Sequence, residues 1–242
     1  MHEVTPSVLL VQTFGSKYDA LFKIYCAYRR CYSDQDSWLI TNSRMDYEEM
    51  DKFVRRMLKA EHAHESPLEM ANLVFHITCD RTTSHQFVRH RIASYAQQSQ
   101  RYVKMDDVPY ILPPLNYLDD DARKALHDEY RADIAHAEAA YKHKIALGAK
   151  PEDARAVLPN MVATQFIVSM NFRSLRHFFA ERTCNRAQWQ IRGIALEMLR
   201  ICKSVCPAVF DDCGPHCMKI KHCPEAKPCG KQPWLSATVN HE

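Results

Sequence analysis

Glycine is scarce in this chain, with five residues among 242. They are spread along the whole sequence, at Gly15, Gly148, Gly193, Gly214 and Gly230. No two of them lie close enough to form the glycine-rich fingerprint of a dinucleotide-binding fold or a phosphate-binding loop. A nucleotide bound by this chain must therefore be held by side chains and by ordinary helix ends.

The hydrophobic pattern predicts several helices and few strands. Apolar residues recur at helical spacing in 16–32 and in a helix that Asp46 caps, while 119–147 reads as one long, charged helix. The β-branched and aromatic runs 73–78 and 162–172 predict strands. Shorter helices are predicted at 84–91, 151–157, 173–181 and 185–205. Because helices and strands do not alternate as βαβ units, we expect a single α+β domain with a central, mainly antiparallel sheet flanked by helices.

The overall composition is that of an ordinary globular protein, 46% apolar and 25% charged. Residues 1–10 contain no basic region followed by an apolar one, and no stretch approaches the roughly 20 apolar residues of a membrane span. We therefore expect a cytoplasmic protein without a membrane partner. A formal net charge of +3 is too small to indicate general nucleic-acid binding. The clustering of Arg and His in short segments instead indicates a small anionic ligand such as a phosphate.

The most informative segment runs from Arg89 to Tyr102 and reads RHRIASYAQQSQRY. Only Ile92 and Ala93 are plainly core-forming in it. Arginine side chains suit phosphate oxygens, while glutamine amides and serine hydroxyls can read the donor and acceptor edge of a heterocycle. On composition alone, a solvated basic loop explains the segment equally well.

This segment resembles the signature of the flavin-dependent thymidylate synthases, in which Arg-His-Arg is followed after seven residues by Ser, here Ser99. Other segments resemble that family in the same order along the chain. They are 63–69 (AHESPLE), 151–159 (PEDARAVLP), 171–175 (NFRSL) and the block from Arg182 to Arg192. The resemblance covers roughly residues 20 to 206. It predicts a synthase domain over 1–206 followed by a cysteine-rich tail over 207–242.

The sequence also departs from the family pattern at four positions. Ala63 replaces the usual Gly, Met70 stands where many members have His, and Ala96 stands where Asn is frequent. Gln97 occupies a position that is often Glu. Gln97 can form hydrogen bonds but carries no negative charge, so these departures bear on the choice of nucleotide more than on the class of reaction.

The resemblance implies conversion of dUMP to dTMP with FAD as cofactor. Methylenetetrahydrofolate would supply the one-carbon unit and NADPH would reduce the flavin, so the protein mainly positions and polarises the reactants. The family assembles as a homotetramer in which several subunits contact each flavin, and we expect the same assembly here. Two alternatives stay open: methylation of another uridine nucleotide such as UMP, and a non-catalytic nucleotide- or RNA-binding protein with a broad basic surface.

Arg182 is the catalytic residue that the resemblance implies, because a guanidinium stays cationic and can stabilise negative charge developing around N3 of the pyrimidine. Taken alone, Arg182 reads more simply as a helix-end arginine paired with Glu181 or another carboxylate. Ser99 is interpreted as a hydrogen-bond donor rather than a nucleophile. Together with Arg182, the implied substrate-binding residues are Gln86, Arg89, Gln97, Gln98, Ser99, Gln100, Arg101 and Arg155, the last two facing the phosphate.

The resemblance also assigns a set of flavin contacts. These are His64, Ser66, Arg89, His90, Arg91, Gln97, Asn171, Arg173 and His177. Isolated histidines are more often packed structural residues than ligands, so the assignments of His64 and His177 depend on the resemblance alone.

Ten cysteines in a chain without a secretory signal indicate reduced thiols rather than a disulfide framework. Six of them lie in roughly the last forty residues, interleaved with His216 and His222. Thiols at these short spacings are candidate zinc ligands, namely Cys213, Cys217, Cys223 and Cys229. Because no Cys-x-x-Cys pair occurs, we favour reduced, partly buried thiols and no metal, with a redox-labile pair of Cys213 and Cys217 as a third interpretation.

Overall fold

The computed structural model describes residues 1–59, 63–105 and 107–231. Within them, the strands are β1 (His2–Glu3), β2 (Ser7–Gln12), β3 (Asn72–Asp80), β4 (Ser94–Gln97), β5 (Pro109–Tyr110) and β6 (Ala163–Asn171). The helices there are α1 (Lys17–Cys31), α2 (Ser37–Asn42), α3 (Tyr47–Lys59), α4 (Arg81–Phe87), α5 (Asp120–Ala146), α6 (Pro151–Ala154), α7 (Phe172–Arg182), α8 (Trp189–Val205), α9 (Pro207–Phe210) and α10 (His216–Ile220). Two 3₁₀ turns lie at Ser66–Met70 and Arg155–Val157.

Four strands form an antiparallel sheet in the order β2-β3-β6-β4. The pairing of β4 with β6 shows the direction, because Tyr95 packs against Phe166 whereas Gln97 bonds Thr164. Side chains alternate between the two faces, and every second residue of β3 from Leu73 onward is buried. These observations confirm the predicted α+β class and the antiparallel central sheet.

The chain forms two compact units, and the long strands β3 and β6 contribute residues to both. The first unit comprises 1–7, 76–89 and 95–167, and the second comprises 8–75, 90–94 and the described residues from 168 to 231. In the first unit, Ile134 and Tyr141 of α5 pack with Val108 and Val162 in a small core. The prediction of one domain over 1–206 and a tail over 207–242 therefore stays a prediction.

The second unit is built around α7, which begins where β6 ends. Asn171 caps this helix, because its side-chain oxygen accepts a hydrogen bond from the Ser174 N–H at 2.8 Å. The buried ring of Phe172 lies 4.9 Å from that of Phe210 in α9, and Phe179 lies 6.1 Å from the same ring. The first residues of the predicted tail are thus part of this core.

Two predicted helices begin at different residues from those expected. The helix predicted at 84–91 is α4, which begins earlier because the Asp80 carboxylate accepts from the Thr83 N–H and caps it. The helix predicted at 185–205 begins only at Trp189, because the Gln188 side chain accepts from the backbone N–H groups of the first turn. In the described part of the chain, no helix combines the length and the apolar composition needed to cross a membrane.

Candidate active site

Gln97 is the last residue of β4, and its side chain points toward the buried face of the sheet. Its Nε2 donates to the Ser84 hydroxyl at 3.0 Å and to the Thr164 hydroxyl at 3.1 Å. Ser84 in turn donates to the Arg81 carbonyl. The amide of Gln97 is therefore fixed in one orientation, with its carbonyl oxygen as the remaining polar atom. Sequence reasoning did not identify Ser84 or Thr164, which lie 13 and 67 residues from Gln97.

Gln98 faces away from Gln97, as the two-residue period of an extended strand requires. It is exposed and lines a cavity of about 380 Å³ together with Thr78, Lys104 and Gln165. Its backbone N–H donates to the Gln165 carbonyl at 2.9 Å. The structure therefore separates Gln97 and Gln98, which the sequence placed in one substrate-binding set.

Ser99, Arg101 and Arg155 come together around Glu152. The Arg101 Nε donates to the Glu152 carboxylate at 3.0 Å, and the Arg155 Nε donates to the Glu152 carbonyl at 3.1 Å. The Ser99 hydroxyl accepts from the Arg101 N–H at 3.2 Å. Two guanidinium groups and a hydroxyl on one surface form a suitable set of donors for a phosphate. Glu152 was not predicted as a site residue, although it lies within the segment 151–159.

The other predicted substrate residues of the first unit lie before and after β4 in the sequence. Gln86 is half-buried on α4, and Arg89 is exposed shortly after that helix. Gln100 is half-buried between Ser99 and Arg101. Of the predicted substrate set, only Arg182 belongs to the second unit.

Arg182 is the last residue of α7, and its Nε donates a hydrogen bond to Nε2 of His90 at 3.0 Å. The His90 ring packs edge-on against Phe178 at 4.9 Å and against His177 at 6.0 Å. Burial first, and then the positive charge of Arg182 and the proximity of His177, lower the pKa of His90 from 6.5 to about 4. His90 is therefore neutral at physiological pH and carries its proton on Nδ1, since Nε2 accepts. Within the described residues Arg182 forms no salt bridge, so the interpretation that pairs it with Glu181 is not supported.

Other residues of the predicted flavin set lie at the start of α7 and after Arg89. The side-chain oxygen of Asn171 is already bonded, because this residue caps the N-terminus of α7. Arg173 donates to the Glu69 carboxylate at 2.6 Å, and both side chains are largely exposed. Arg91 and His177 are exposed. This set thus supplies cationic and imidazole groups on the surface of the second unit.

His64 forms hydrogen bonds through both ring nitrogens. Its Nδ1 lies 2.9 Å from the Tyr32 hydroxyl and its Nε2 lies 2.6 Å from the Ser66 hydroxyl. Tyr32 was not predicted as a site residue. No sequence motif could reveal it, because it lies 32 residues before His64 and outside the segments that resemble the family.

The cysteines of the tail separate into two environments. Cys213 is buried and accepts a hydrogen bond from Arg176 of α7 at 3.3 Å. Burial raises the pKa of its thiol to about 12. Burial, followed by the neighbouring thiols of Cys223, Cys184 and Cys229, raises the pKa of Cys217. Among the described residues, no group of three or more His, Cys, Asp or Glu side chains is placed to hold a metal ion.

The residues predicted to contact flavin fit the chemistry of FAD. Its diphosphate requires cations, and Arg91 and Arg173 are exposed. Its isoalloxazine ring carries hydrogen-bond acceptors, for which the Ser66 hydroxyl and the histidine rings offer partners. These groups all belong to the second unit.

Comparison with known proteins identifies the family. The model of the family described as thymidylate synthase complementing protein matches residues 13–208. The flavin-dependent thymidylate synthase of Nitratidesulfovibrio vulgaris is 38% identical over 230 residues, covering 89% of this chain and 91% of that protein. The synthase of Geobacter sulfurreducens is 46% identical over 172 residues, covering 69% and 72%.

A solved structure has the same fold. It is the UMP/dUMP methylase PolB from Streptomyces cacaoi bound with 5-Br dUMP, with a TM-score of 0.73 and 20% identity. The match covers 86% of this chain and 94% of that chain. At this identity the likeness supports the fold alone. The family is identified by the matches to the relatives and to the family model. The chain belongs to the flavin-dependent thymidylate synthase family.

Proposed function

We propose that this protein converts dUMP to dTMP, using FAD as cofactor, methylenetetrahydrofolate as one-carbon donor and NADPH as reductant. Family membership supports the reaction class. The observation that carries the assignment of residues is the hydrogen bond from Arg182 to neutral His90. It leaves the guanidinium charge without a carboxylate partner within the described residues.

Arg182 is the catalytic residue in this proposal. Its Nε donates to His90, and its two Nη groups are further donors that can bond an oxygen or nitrogen of the pyrimidine. Because the charge is not neutralised by a carboxylate, it can stabilise negative charge that develops around N3 as the pyrimidine is activated for bond formation at C5. His90 fixes the direction of the guanidinium without changing its charge.

The nucleotide phosphate is assigned to Ser99, Arg101 and Arg155. Both arginines already bond Glu152, which holds their guanidinium groups in place. The phosphate would replace the carboxylate as the partner of Arg101, because a dianion with several acceptor oxygens suits a guanidinium better than one carboxylate. Gln86, Arg89, Gln98 and Gln100 complete the proposed substrate set. Gln97 contributes a fixed carbonyl acceptor.

FAD would be held by His64, Ser66, Arg89, His90, Arg91, Gln97, Asn171, Arg173 and His177. When bound, it supplies the hydride that completes the methyl group. The protein's own part is to bind and orient: the arginines attract the diphosphate and the hydroxyl and imidazole groups hydrogen-bond the ring. We also propose a homotetramer in the cytoplasm, in which residues acting on one substrate come from different copies.

The proposal is tested by incubating purified protein with FAD, NADPH and methylenetetrahydrofolate, with dUMP and UMP in separate reactions. Mass spectrometry of the nucleotides should show a methylated product from dUMP that disappears when FAD is omitted. Product from UMP alone would keep the chemistry but assign a different nucleotide. No product from either nucleotide, with FAD bound, would contradict the proposed function.

A further inference from the structure

Tyr32, His64 and Ser66 form a continuous chain of hydrogen bonds. The Tyr32 hydroxyl lies 2.9 Å from His64 Nδ1, and the Ser66 hydroxyl lies 2.6 Å from His64 Nε2. All three residues belong to the second unit. A neutral imidazole has one donor and one acceptor nitrogen, so the two bonds must run in the same direction along the chain.

Local backbone structure holds Tyr32 and Ser66, the two residues at the ends of this chain of hydrogen bonds. Tyr32 caps the C-terminus of α1, where its N–H donates to the Arg29 carbonyl at 3.1 Å. Ser66 is the first residue of the 3₁₀ turn Ser66–Met70, and Pro67 is the second. The His64 ring itself packs edge-on against Tyr28 at 6.5 Å and against Tyr32 at 5.8 Å. The imidazole is therefore held between two anchored hydroxyl groups.

The direction of the hydrogen bonds follows from the donor strengths of the Tyr32 and Ser66 hydroxyl groups. A phenol is a stronger hydrogen-bond donor than the alcohol of serine. We propose that Tyr32 donates to His64 Nδ1 and so selects the tautomer in which Nε2 carries the proton. Nε2 then donates to the Ser66 oxygen, and the Ser66 proton is directed away from the ring.

The consequence is that Ser66 acts as a hydrogen-bond donor of fixed direction. Ser66 is exposed, so its proton faces solvent or a ligand. The ligand in question is the flavin, and this step rests on the proposed function. Tyr32 is then a positioning residue that never needs to contact FAD: it sets the proton on His64, and His64 orients Ser66 toward an acceptor atom of the flavin.

The direction is measured by NMR of protein labelled with ¹⁵N-histidine, with the His64 signals assigned through His64→Asn. The wild-type protein should show the Nε2-protonated tautomer without FAD, and Tyr32→Phe should shift His64 toward the Nδ1-protonated form. A wild-type His64 that is protonated on Nδ1 would overturn the proposal, because Ser66 would then donate to the ring. This readout does not depend on flavin binding.

The effect on the flavin is measured by titrating the FAD-free protein. Tyr32→Phe should weaken FAD binding by about 3- to 10-fold, the effect of one net hydrogen bond. Tyr117→Phe is the matched control, since Tyr117 is 81% exposed, and it should leave the affinity unchanged. In a Ser66→Ala background, Tyr32→Phe should have no further effect, because its action runs through Ser66.

Two results of the FAD titration would contradict the role of Tyr32. Unchanged affinity in Tyr32→Phe, or effects of the two substitutions that add in full, would overturn the link to FAD. A wild-type protein that binds no FAD would contradict the proposed function, whereas the tautomer of His64 would still decide the direction of the hydrogen bonds.

Discussion

Arg182 donates a hydrogen bond from Nε to Nε2 of His90 at 3.0 Å, across 92 residues of sequence. The bond requires a neutral imidazole, and the surroundings of His90 provide one. Burial and the charge of Arg182 lower its pKa to about 4, from an ordinary value of 6.5. The stability of the fold and the orientation of the Arg182 guanidinium therefore both depend on His90 remaining neutral.

The first prediction concerns pH. Between about 4 and 6.5 the unfolded chain protonates this histidine while the folded protein does not, so the free energy of unfolding should fall as the pH is lowered through that range. Above pH 6.5 the contribution is fully present. Urea unfolding of the wild type and of His90→Gln at a series of pH values measures it. The pH dependence should be shallower in His90→Gln, and equal slopes would contradict the assignment.

The second prediction concerns Gln97. The Ser84 hydroxyl donates its proton to the Arg81 carbonyl, so toward position 97 it can act only as a hydrogen-bond acceptor. Gln97→Glu would place a carboxylate against that oxygen, and we expect it to destabilise the protein by about 1–3 kcal/mol. Urea unfolding near neutral pH measures this loss. Gln98→Glu is the control, because Gln98 is exposed on the opposite face and its substitution should change stability by less than about 0.5 kcal/mol. If Gln97→Glu lowers the free energy of unfolding no more than Gln98→Glu does, the hydrogen bonds of Gln97 do not contribute to stability as argued.

The third prediction concerns the phosphate. Arg101→Ala should weaken dUMP binding by about 10- to 100-fold, because it removes charge-assisted hydrogen bonds to the phosphate. Lys104→Ala removes a cation from the same stretch of chain, but Lys104 lines the cavity next to Gln98 and should have little effect. Isothermal titration with dUMP distinguishes the two. If both substitutions weaken binding equally, general charge attraction rather than Arg101 explains the affinity.

The fourth prediction concerns the boundary of the tail. Phe210 is fully buried and packs on Phe172, although it lies beyond residue 206. Phe210→Ala should destabilise the protein by about 3–5 kcal/mol, as expected for a large cavity in a core. Trp38→Ala offers a control, since Trp38 is 67% exposed. If both variants unfold at the same urea concentration as the wild type, Phe210 is not a core residue.

The local elements were largely predictable from the sequence. Asp119 and the long charged run after it predicted α5 to within a residue at each end, because the cap and the helical composition are local signals. The apolar runs likewise predicted β3 and β6, since both strands bury alternate side chains.

The internal contacts of the site were not predictable. The sequence pointed to Gln97, His64 and Arg182 through a resemblance to a family, but their partners are Ser84, Tyr32 and His90. Such pairs form through tertiary packing and leave no periodic signal in the chain. The structure also separated Gln97 from Gln98, because neighbouring residues of an extended strand point to opposite faces.

The most direct test of the central claim compares wild type with Arg182→Ala in a single turnover with dUMP, methylenetetrahydrofolate and FAD reduced by NADPH. The absorbance of the flavin reports binding and reduction, and mass spectrometry reports dTMP. We expect both proteins to bind FAD and to be reduced, while Arg182→Ala forms dTMP at least about 100-fold more slowly, the loss expected for one electrostatic donor. Formation of dTMP at the wild-type rate by Arg182→Ala would contradict the catalytic role of Arg182.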